Sequence, residues 1–299
     1  MVTDSRWVDG LLCVDAHCDS LILRWTRDDP LDLADVDPKY QIDLPRLRQG
    51  GMDCLFIMVG DNDLAQSGAL IDGAYGMCAA HPQDFALCTT VSRVRAAREA
   101  GRIAVVLTIE GQKMFAEDLA HLRNWHRLGV RLASITHGGG RRPELQYDPS
   151  YFGYISPDER ENLRRGSKGL TPFGREALQE MGHLGIAVDL AHINDVAFWE
   201  VLELAECPVC YTHGACYALS PHSRALTDEM MRALAEKGGV MGIAFYRQFI
   251  DPQHPTMDRL CDHYVHAVEV MGPEHVGIGS DFDGTPRQWR TIPQEVSAL

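Results

Sequence analysis

The stretch Leu11-Leu12-Cys13-Val14-Asp15-Ala16-His17-Cys18-Asp19 decides how the rest of the chain is read. Its apolar run suits a buried strand over residues 11–16, and it ends in His17 and Asp19. Successive strand side chains alternate faces, so residues two apart point the same way. If the strand runs on through Asp19, one imidazole and one carboxylate converge at its C-terminal end. These donors suit a borderline-soft divalent metal such as zinc. A lone His-x-Asp reads equally well as a polar strand end in solvent. The pair gains meaning only if other strands bring ligands to the same place.

Further apolar strand-like runs follow, alternating with helix-length segments. Residues 51–59 form the second run. A long helical stretch over about 68–100 comes next, with a break expected near Pro82. Residues 102–109 are a third strand, ending at Glu110, and a helix over about 116–128 leads to a fourth, 130–136, ending at His137. Residues 138–168 read as a long irregular loop on the active face. Thr171-Pro172 marks a helix start, with threonine as cap and proline in the first turn. Strands five to eight are 185–191, 208–212, 239–245 and 275–280, ending at or beside His192, His213, Phe245 and Asp281. Helices are expected over about 195–205 and 257–271, and Thr227-Asp228-Glu229-Met230 carries a capping pattern.

Eight continuous apolar strands alternating with helices imply a parallel sheet covered by helices. A (β/α)₈ TIM barrel fits better than an open doubly wound sheet. No Gly-x-Gly-x-x-Gly follows the first strand, which disfavours dinucleotide binding. The 299 residues, 45% hydrophobic, supply a large core, and the unbroken alternation is read as a single domain over 1–299. Lys+Arg of 28 against Asp+Glu of 42 gives a net charge of −14, which argues against nucleic acid and anionic membrane as partners. No apolar run is long enough for a bilayer, and Met1-Val2-Thr3-Asp4-Ser5-Arg6 lacks the basic region of a secretory signal. Nine cysteines without framework spacing suggest a reducing, cytoplasmic setting.

In such a barrel all strand C-termini meet at one face, where active sites sit. That face would gather His17, Asp19, Glu110, His137, His192, His213 and Asp281. The ligand count points to two metal ions, with Glu110 as the bridging carboxylate. One ion would take His17, Asp19 and Glu110, and the other Glu110, His192 and His213. Two such ions can share a hydroxide that is nucleophilic near neutral pH.

Beyond these residues the chain resembles the membrane (renal) dipeptidase family, peptidase family M19, a branch of the amidohydrolase-like barrels. The matching motifs are Val14-Asp15-Ala16-His17-Cys18-Asp19, Thr108-Ile109-Glu110-Gly111, Thr136-His137, Gly169-Leu170-Thr171-Pro172-Phe173-Gly174, Asp189-Leu190-Ala191-His192, Thr212-His213, Ser223-Arg224 and Gly279-Ser280-Asp281-Phe282-Asp283-Gly284. The resemblance implies a binuclear Zn²⁺ hydrolase acting on dipeptides, with D-residues an option at the C-terminal position. It implies that His137 contacts the substrate and stabilises the oxyanion. Arg224 would bind the substrate carboxylate, a task suited to a two-pronged guanidinium. Asp281 would carry the proton from water to the leaving amine. Other amidohydrolase substrates (N-acyl amino acids, lactams, lactones) and a non-catalytic barrel stand as alternatives.

Some positions depart from the family pattern. Cys18 stands where an asparagine is usual, on the face opposite His17 and Asp19. Gly138-Gly139-Gly140-Arg141-Arg142 replaces asparagines after His137. The chain lacks the closing helical region expected after the eighth strand, with Ile292-Pro293-Gln294-Glu295-Val296 resembling its start. The seam between strands eight and one would then need a partner subunit, as in a homodimer, or further chain. The ion held by His17 and Asp19 is expected to be the weaker one. Among the remaining signals, Cys207-Pro208-Val209-Cys210 has no second pair at zinc-knuckle spacing and reads as structural. His222 is expected as a solvated loop histidine, with a place lining the site mouth near Arg224 as the alternative. Arg141-Arg142 and Arg164-Arg165 are expected as salt-bridged or solvated, with attraction of an acidic substrate as the alternative.

Overall fold

Nine parallel strands organise the described part of the chain, which in this computed structural model is residues 11–61, 63–137, 145–146 and 151–284. They are β1 (Val14–Cys18), β2 (Cys54–Met58), β3 (Phe85–Leu87), β4 (Ile103–Ile109), β5 (Val130–Ser134), β6 (Ala187–Asp189), β7 (Val209–Gly214), β8 (Val240–Ile243) and β9 (Val276–Ile278). The order β2-β1-β9-β8-β7-β6-β5-β4 closes on itself because β4 also pairs with β2, from Cys54↔Ala104 to Met58↔Thr108. The result is a closed eight-stranded parallel barrel of the (β/α)₈ type.

Helices cover it in the expected alternation. They are α1 (Ser20–Thr26) and α2 (Leu44–Gln49) after β1, α3 (Leu64–Ala80) after β2, α4 (Val91–Glu99) after β3 and α5 (Leu119–Arg127) after β4. Then come α6 (Pro157–Gly166) and α7 (Pro172–Leu184) after β5, α8 (Asp195–Leu204), α9 (Asp228–Glu236), α10 (Arg247–Ile250) and α11 (Met257–Met271). All seven residues of β4 are buried, because such a strand is covered inside by barrel side chains and outside by helices. Helix α11 buries Leu260, His263, Ala267 and Met271, three or four apart along one face. Thr171 and Thr227 cap α7 and α9 as expected, each accepting from a backbone N–H three residues on.

Three expectations need correction. The helical stretch over 68–100 is two helices with a strand between them. Pro82 cannot continue α3, and Phe85-Ala86-Leu87 then pairs with residues 103–105 of β4. This ninth strand sits on the edge that β5 takes over from Leu107 onward. The loop over 138–168 contains α6, whose start carries a full capping box between Ser156 and Glu159. The first strand is shifted: it runs from Val14 to Cys18 rather than over 11–16.

Strands β1 and β9 are stitched together at the top of the seam. Ser280 donates from N and Oγ to Asp15 at 2.8 and 2.5 Å. Asp281 N donates to His17 O at 3.1 Å, and Asp19 N to Phe282 O at 2.9 Å. The segment expected to begin the closing region, Ile292 to Val296, lies outside the described residues, as does Gly138 to Arg142.

Candidate metal centre at the barrel mouth

Because every barrel strand runs the same way, their C-terminal ends deliver side chains to one face. His17 is the fourth residue of β1 and Asp19 follows its end; Glu110 follows β4, His137 follows β5, His192 follows β6 and His213 lies within β7. The pairing register slips in β1 between Asp15 and Cys18, and in β7 between Tyr211 and Gly214. Such irregularities re-aim side chains at functional rims. His192 and Asp281 adopt left-handed backbone, φ 65° and 60°. Residues other than glycine seldom hold that conformation, and it clusters at functional sites.

The expected residues come together. His17 Nε2 lies 3.4 Å from Asp19 Oδ2 and 3.7 Å from Glu110 Oε2. Glu110 Oε1 lies 3.0 Å from His192 Nε2 and 3.6 Å from His213 Nε2. The two Nε2 atoms are 3.0 Å apart. Among the described residues, three sets have ligand atoms within 4.8 Å of one another: His17, Glu110 and His213; Glu110, His137 and His192; and His17, Asp19 and Asp281. The sets cut across the expected division into two ligand groups, since His17 and His213 share one and their rings are 4.1 Å apart.

Each charge in the cluster answers another. Burial alone would lower His17, but Glu110 and Asp19 hold it well above its ordinary value. Burial would raise Glu110, yet His137, His17 and His192 hold it well below the usual carboxylate range. Burial pushes His192 down, helped by the Arg224 guanidinium, and pushes His213 down, helped by His17. Burial and the charge of Asp19 push Asp281 up to about 7. Opposed shifts of this kind mark functional sites.

The residues fit a divalent cation. Glu110 Oε1 is buried and accepts no hydrogen bond from the described residues, although two imidazole nitrogens face it. Arg224 Nη1 lies 2.6 Å from His192 Nδ1, and a guanidinium can only donate. His192 Nε2 therefore carries the hydrogen that bridges to His213 Nε2. A cation bound at His192 Nε2 would require that hydrogen to move to Nδ1 and the Arg224 Nη1 contact to be released. Imidazole and carboxylate donors are those zinc takes.

Arg224 reaches the cluster from the loop between β7 and α9. It is buried, its Nε and Nη2 have no hydrogen-bond partner among the described residues, and its Cζ stands 5.4 Å over the Phe249 ring. His222 is a correction: it is buried rather than solvated. It accepts from Arg224 N at 3.1 Å and packs against Phe152, Tyr154 and Phe249. Burial and Arg224 push it down to about 3. Arg164 and Arg165 pair with Glu161 on the exposed side of α6. Cys18 is fully buried, and burial holds its thiol well above the ordinary range, as it does that of Cys210 on β7. Both belong to packing rather than to chemistry.

Several residues went unread in the sequence. Asp61, just past β2, accepts from His137 Nδ1 at 2.7 Å. With burial opposing it, the charge of Glu110 and the Asp61 hydrogen bond raise His137 to about 9. As a carboxylate at a strand end, Asp61 matched the pattern that singled out the others. Gly284 touches the site with its backbone: a Cβ there would stand 2.2 Å from Asp19 Oδ2 and 2.4 Å from Asp281 Oδ1. No residue pattern announces such a contact.

A (β/α)₈ barrel with a His/Asp/Glu cluster at its C-terminal face has the architecture of a metallohydrolase. The model of the family described as membrane dipeptidase, peptidase family M19, matches residues 6–294, and the chain belongs to that family. A protein of Schizosaccharomyces pombe named as an uncharacterized dipeptidase is 36% identical over 197 residues, 65% of this chain and 45% of that one. Dipeptidase verJ of Clonostachys rogersoniana is 31% identical over 214 residues, 72% of this chain and 52% of that one. The chain thus spans about half the length of these curated relatives. A metallo peptidase of Rhodobacter sphaeroides, solved with a phosphinate mimic of the dipeptide L-Ala-D-Ala, superposes with a TM-score of 0.82 at 25% identity, over 96% of this chain and 91% of that one. The family M19 metallo peptidase described as dipeptidase AC gives a TM-score of 0.82 at 27% identity, over 96% and 88%. No helix among the described residues is long and apolar enough to cross a membrane.

Proposed function

We propose that this protein is a metal-dependent dipeptidase that hydrolyses the single amide bond of a dipeptide with a free C-terminal carboxylate. The observation that carries the reading is a pairing of two features. A His/Asp/Glu cluster suited to a metal lies beside a buried arginine whose Nε and Nη2 have no partner among the described residues. A buried unpaired guanidinium is costly unless an anion meets it, and a dipeptide carries its carboxylate close to the scissile bond. Membership of family M19 supports the same reading. The dipeptide mimic on the Rhodobacter sphaeroides relative supports substrates with a D-residue in the second position.

The metal is proposed to be zinc, two ions per chain. His17, Asp19 and Glu110 would hold one ion and Glu110, His192 and His213 the other, with Glu110 bridging. Bound there, the pair would polarise the amide carbonyl and bring the pKa of a water toward neutrality. The chain's own residues do the rest. Arg224 receives the carboxylate and fixes the register of the scissile bond. His137, held by Asp61, faces the carbonyl oxygen and donates to it as negative charge grows. Asp281, beside His17 and Asp19, takes a proton from the attacking water and returns it to the leaving amine.

A second reading, hydrolysis of N-acyl amino acids, keeps the carboxylate that Arg224 would recognise; a neutral lactone does not. The deciding assay supplies zinc and compares free dipeptides of both stereochemistries with their N-acetylated counterparts. Cleavage of free dipeptides, lost with a chelator, is expected. Cleavage of the acylated compounds alone would replace the first reading with the second.

A further inference from the structure

His213 is braced from behind by two side chains that the proposed mechanism does not use. Its Nδ1 lies 2.8 Å from Thr212 Oγ1, and Thr212 Oγ1 lies 2.7 Å from Asp189 Oδ2. All three residues are buried, on the neighbouring strands β6 and β7. The hydrogens in this chain can be placed by elimination. Asp189 Oδ1 accepts from Thr212 N and from Ala191 N, each at 2.9 Å. With the hydroxyl on Oδ2, three donors converge on one carboxylate, which suits its ionised, acceptor-only form. A threonine hydroxyl has a single proton, and that proton goes to Asp189. Thr212 Oγ1 can then only accept from His213, so Nδ1 of His213 carries the hydrogen. Its Nε2 is left with a lone pair, and Nε2 is the atom that faces Glu110 Oε1 and His192 Nε2.

We propose that Asp189 is a positioning residue for the metal centre. Through Thr212 it locks His213 in the tautomer whose Nε2 is a ligand atom, and it holds the ring at that angle. Metal-binding histidines are commonly oriented by an acceptor on the far nitrogen. Here the acceptor is a hydroxyl whose direction is set by a carboxylate one strand away. An amide at position 189 could donate to Thr212 Oγ1 instead. The hydroxyl would then be free to donate to Nδ1, and the hydrogen of His213 would move to Nε2, where it blocks a metal. Thus a single isosteric change is expected to reverse the chain.

The test rests on the reading of His213 as a metal ligand, and its outcomes separate the two ideas. Zinc affinity is measured by competition with a chromophoric chelator for wild type, Thr212→Ser, Thr212→Val and Asp189→Asn. The tautomer of His213 is read in wild type by nitrogen NMR of histidine-labelled protein, with His213→Gln to assign the signal. Expected are a protonated Nδ1 in wild type and near-wild-type affinity in Thr212→Ser. The site that takes His213 as a ligand should lose about 10- to 100-fold in Thr212→Val and Asp189→Asn. If wild type binds no zinc, the metal centre itself is refuted. If wild type binds zinc but His213 carries its hydrogen on Nε2, the relay is wrong. The relay is equally wrong if Thr212→Val binds as tightly as wild type, or if Thr212→Ser falls as far as Thr212→Val. Because the tautomer is measured in wild type, the proposal stays testable even if a variant does not fold.

Discussion

At the scale of single residues, the site depends on two contacts of opposite kinds. Gly284 is needed for what it lacks. A methyl group there would press on both Asp19 Oδ2 and Asp281 Oδ1, the carboxylates of a proposed ligand and the proposed proton carrier. Gly284→Ala should therefore lose at least about tenfold in kcat/KM with little change in melting temperature, because the displaced atoms are side-chain ends rather than core. Unchanged kcat/KM would mean that these two carboxylates are not poised as described. Arg224, as the proposed carboxylate partner, would be needed for its charge and shape. Arg224→Lys keeps the charge but not the two-pronged geometry, so kcat/KM should fall roughly 30-fold or more, mainly through KM. Equal activity on a dipeptide amide, which has no carboxylate, would contradict the assignment. Much of this scale was legible in the sequence. His17, Glu110, His192 and His213 each end an apolar run, and strand alternation carries the argument from there. Asp61, Thr212 and the close approach of Gly284 were not legible as partners, because their roles depend on neighbours distant in the chain.

At the scale of elements, the seam between β1 and β9 is held by a buried carboxylate rather than by apolar packing alone. Asp15 accepts both the backbone N–H and the hydroxyl of Ser280. Ser280→Ala removes one donor from a buried charge and should cost about 1.5–3 kcal/mol in urea unfolding. A cost below a few tenths would show that the seam is held by something else. The loop behind Arg224 makes a prediction about acid. His222 has a folded value of about 3 against an ordinary 6.5, lowered by burial and then by Arg224. A lowered value means that the unfolded chain binds the proton first. The contribution is whole above pH 6.5 and is lost as pH falls from there toward 3. Between pH 7 and 5, wild type should lose about 2 kcal/mol that His222→Gln does not lose, read from urea midpoints at the two pH values. Parallel curves would contradict the assignment. Elements were legible where apolar runs were long, as in the match of α11 to residues 257–271. The division of 68–100 was not, because the three residues of β3 take their strand character from pairing with β4. The start of α6 was legible in principle, since Ser156-Pro157-Asp158-Glu159 is a capping sequence inside a segment dominated by loop signals.

At the scale of the whole molecule, the barrel was readable because eight apolar runs recur at helix-length intervals, and closure follows once they are parallel. The proposed metal centre ties that architecture to function, since its five donors come from four different strand ends. An ion bound there joins segments far apart in the chain and stabilises the fold by mass action. Zinc at a hundredfold over its dissociation constant should add about 2.7 kcal/mol, with a corresponding rise in melting temperature. Unchanged melting on addition of zinc would count against a site formed across the barrel. The most direct measurement is hydrolysis of L-Ala-D-Ala by chelator-stripped protein during titration with zinc. Activity should be absent at the start, rise with added metal, level off near two equivalents per chain, and stay absent in Glu110→Ala at the same zinc. Full hydrolysis before any metal is added, or no hydrolysis after two equivalents are bound, would contradict a binuclear dipeptidase.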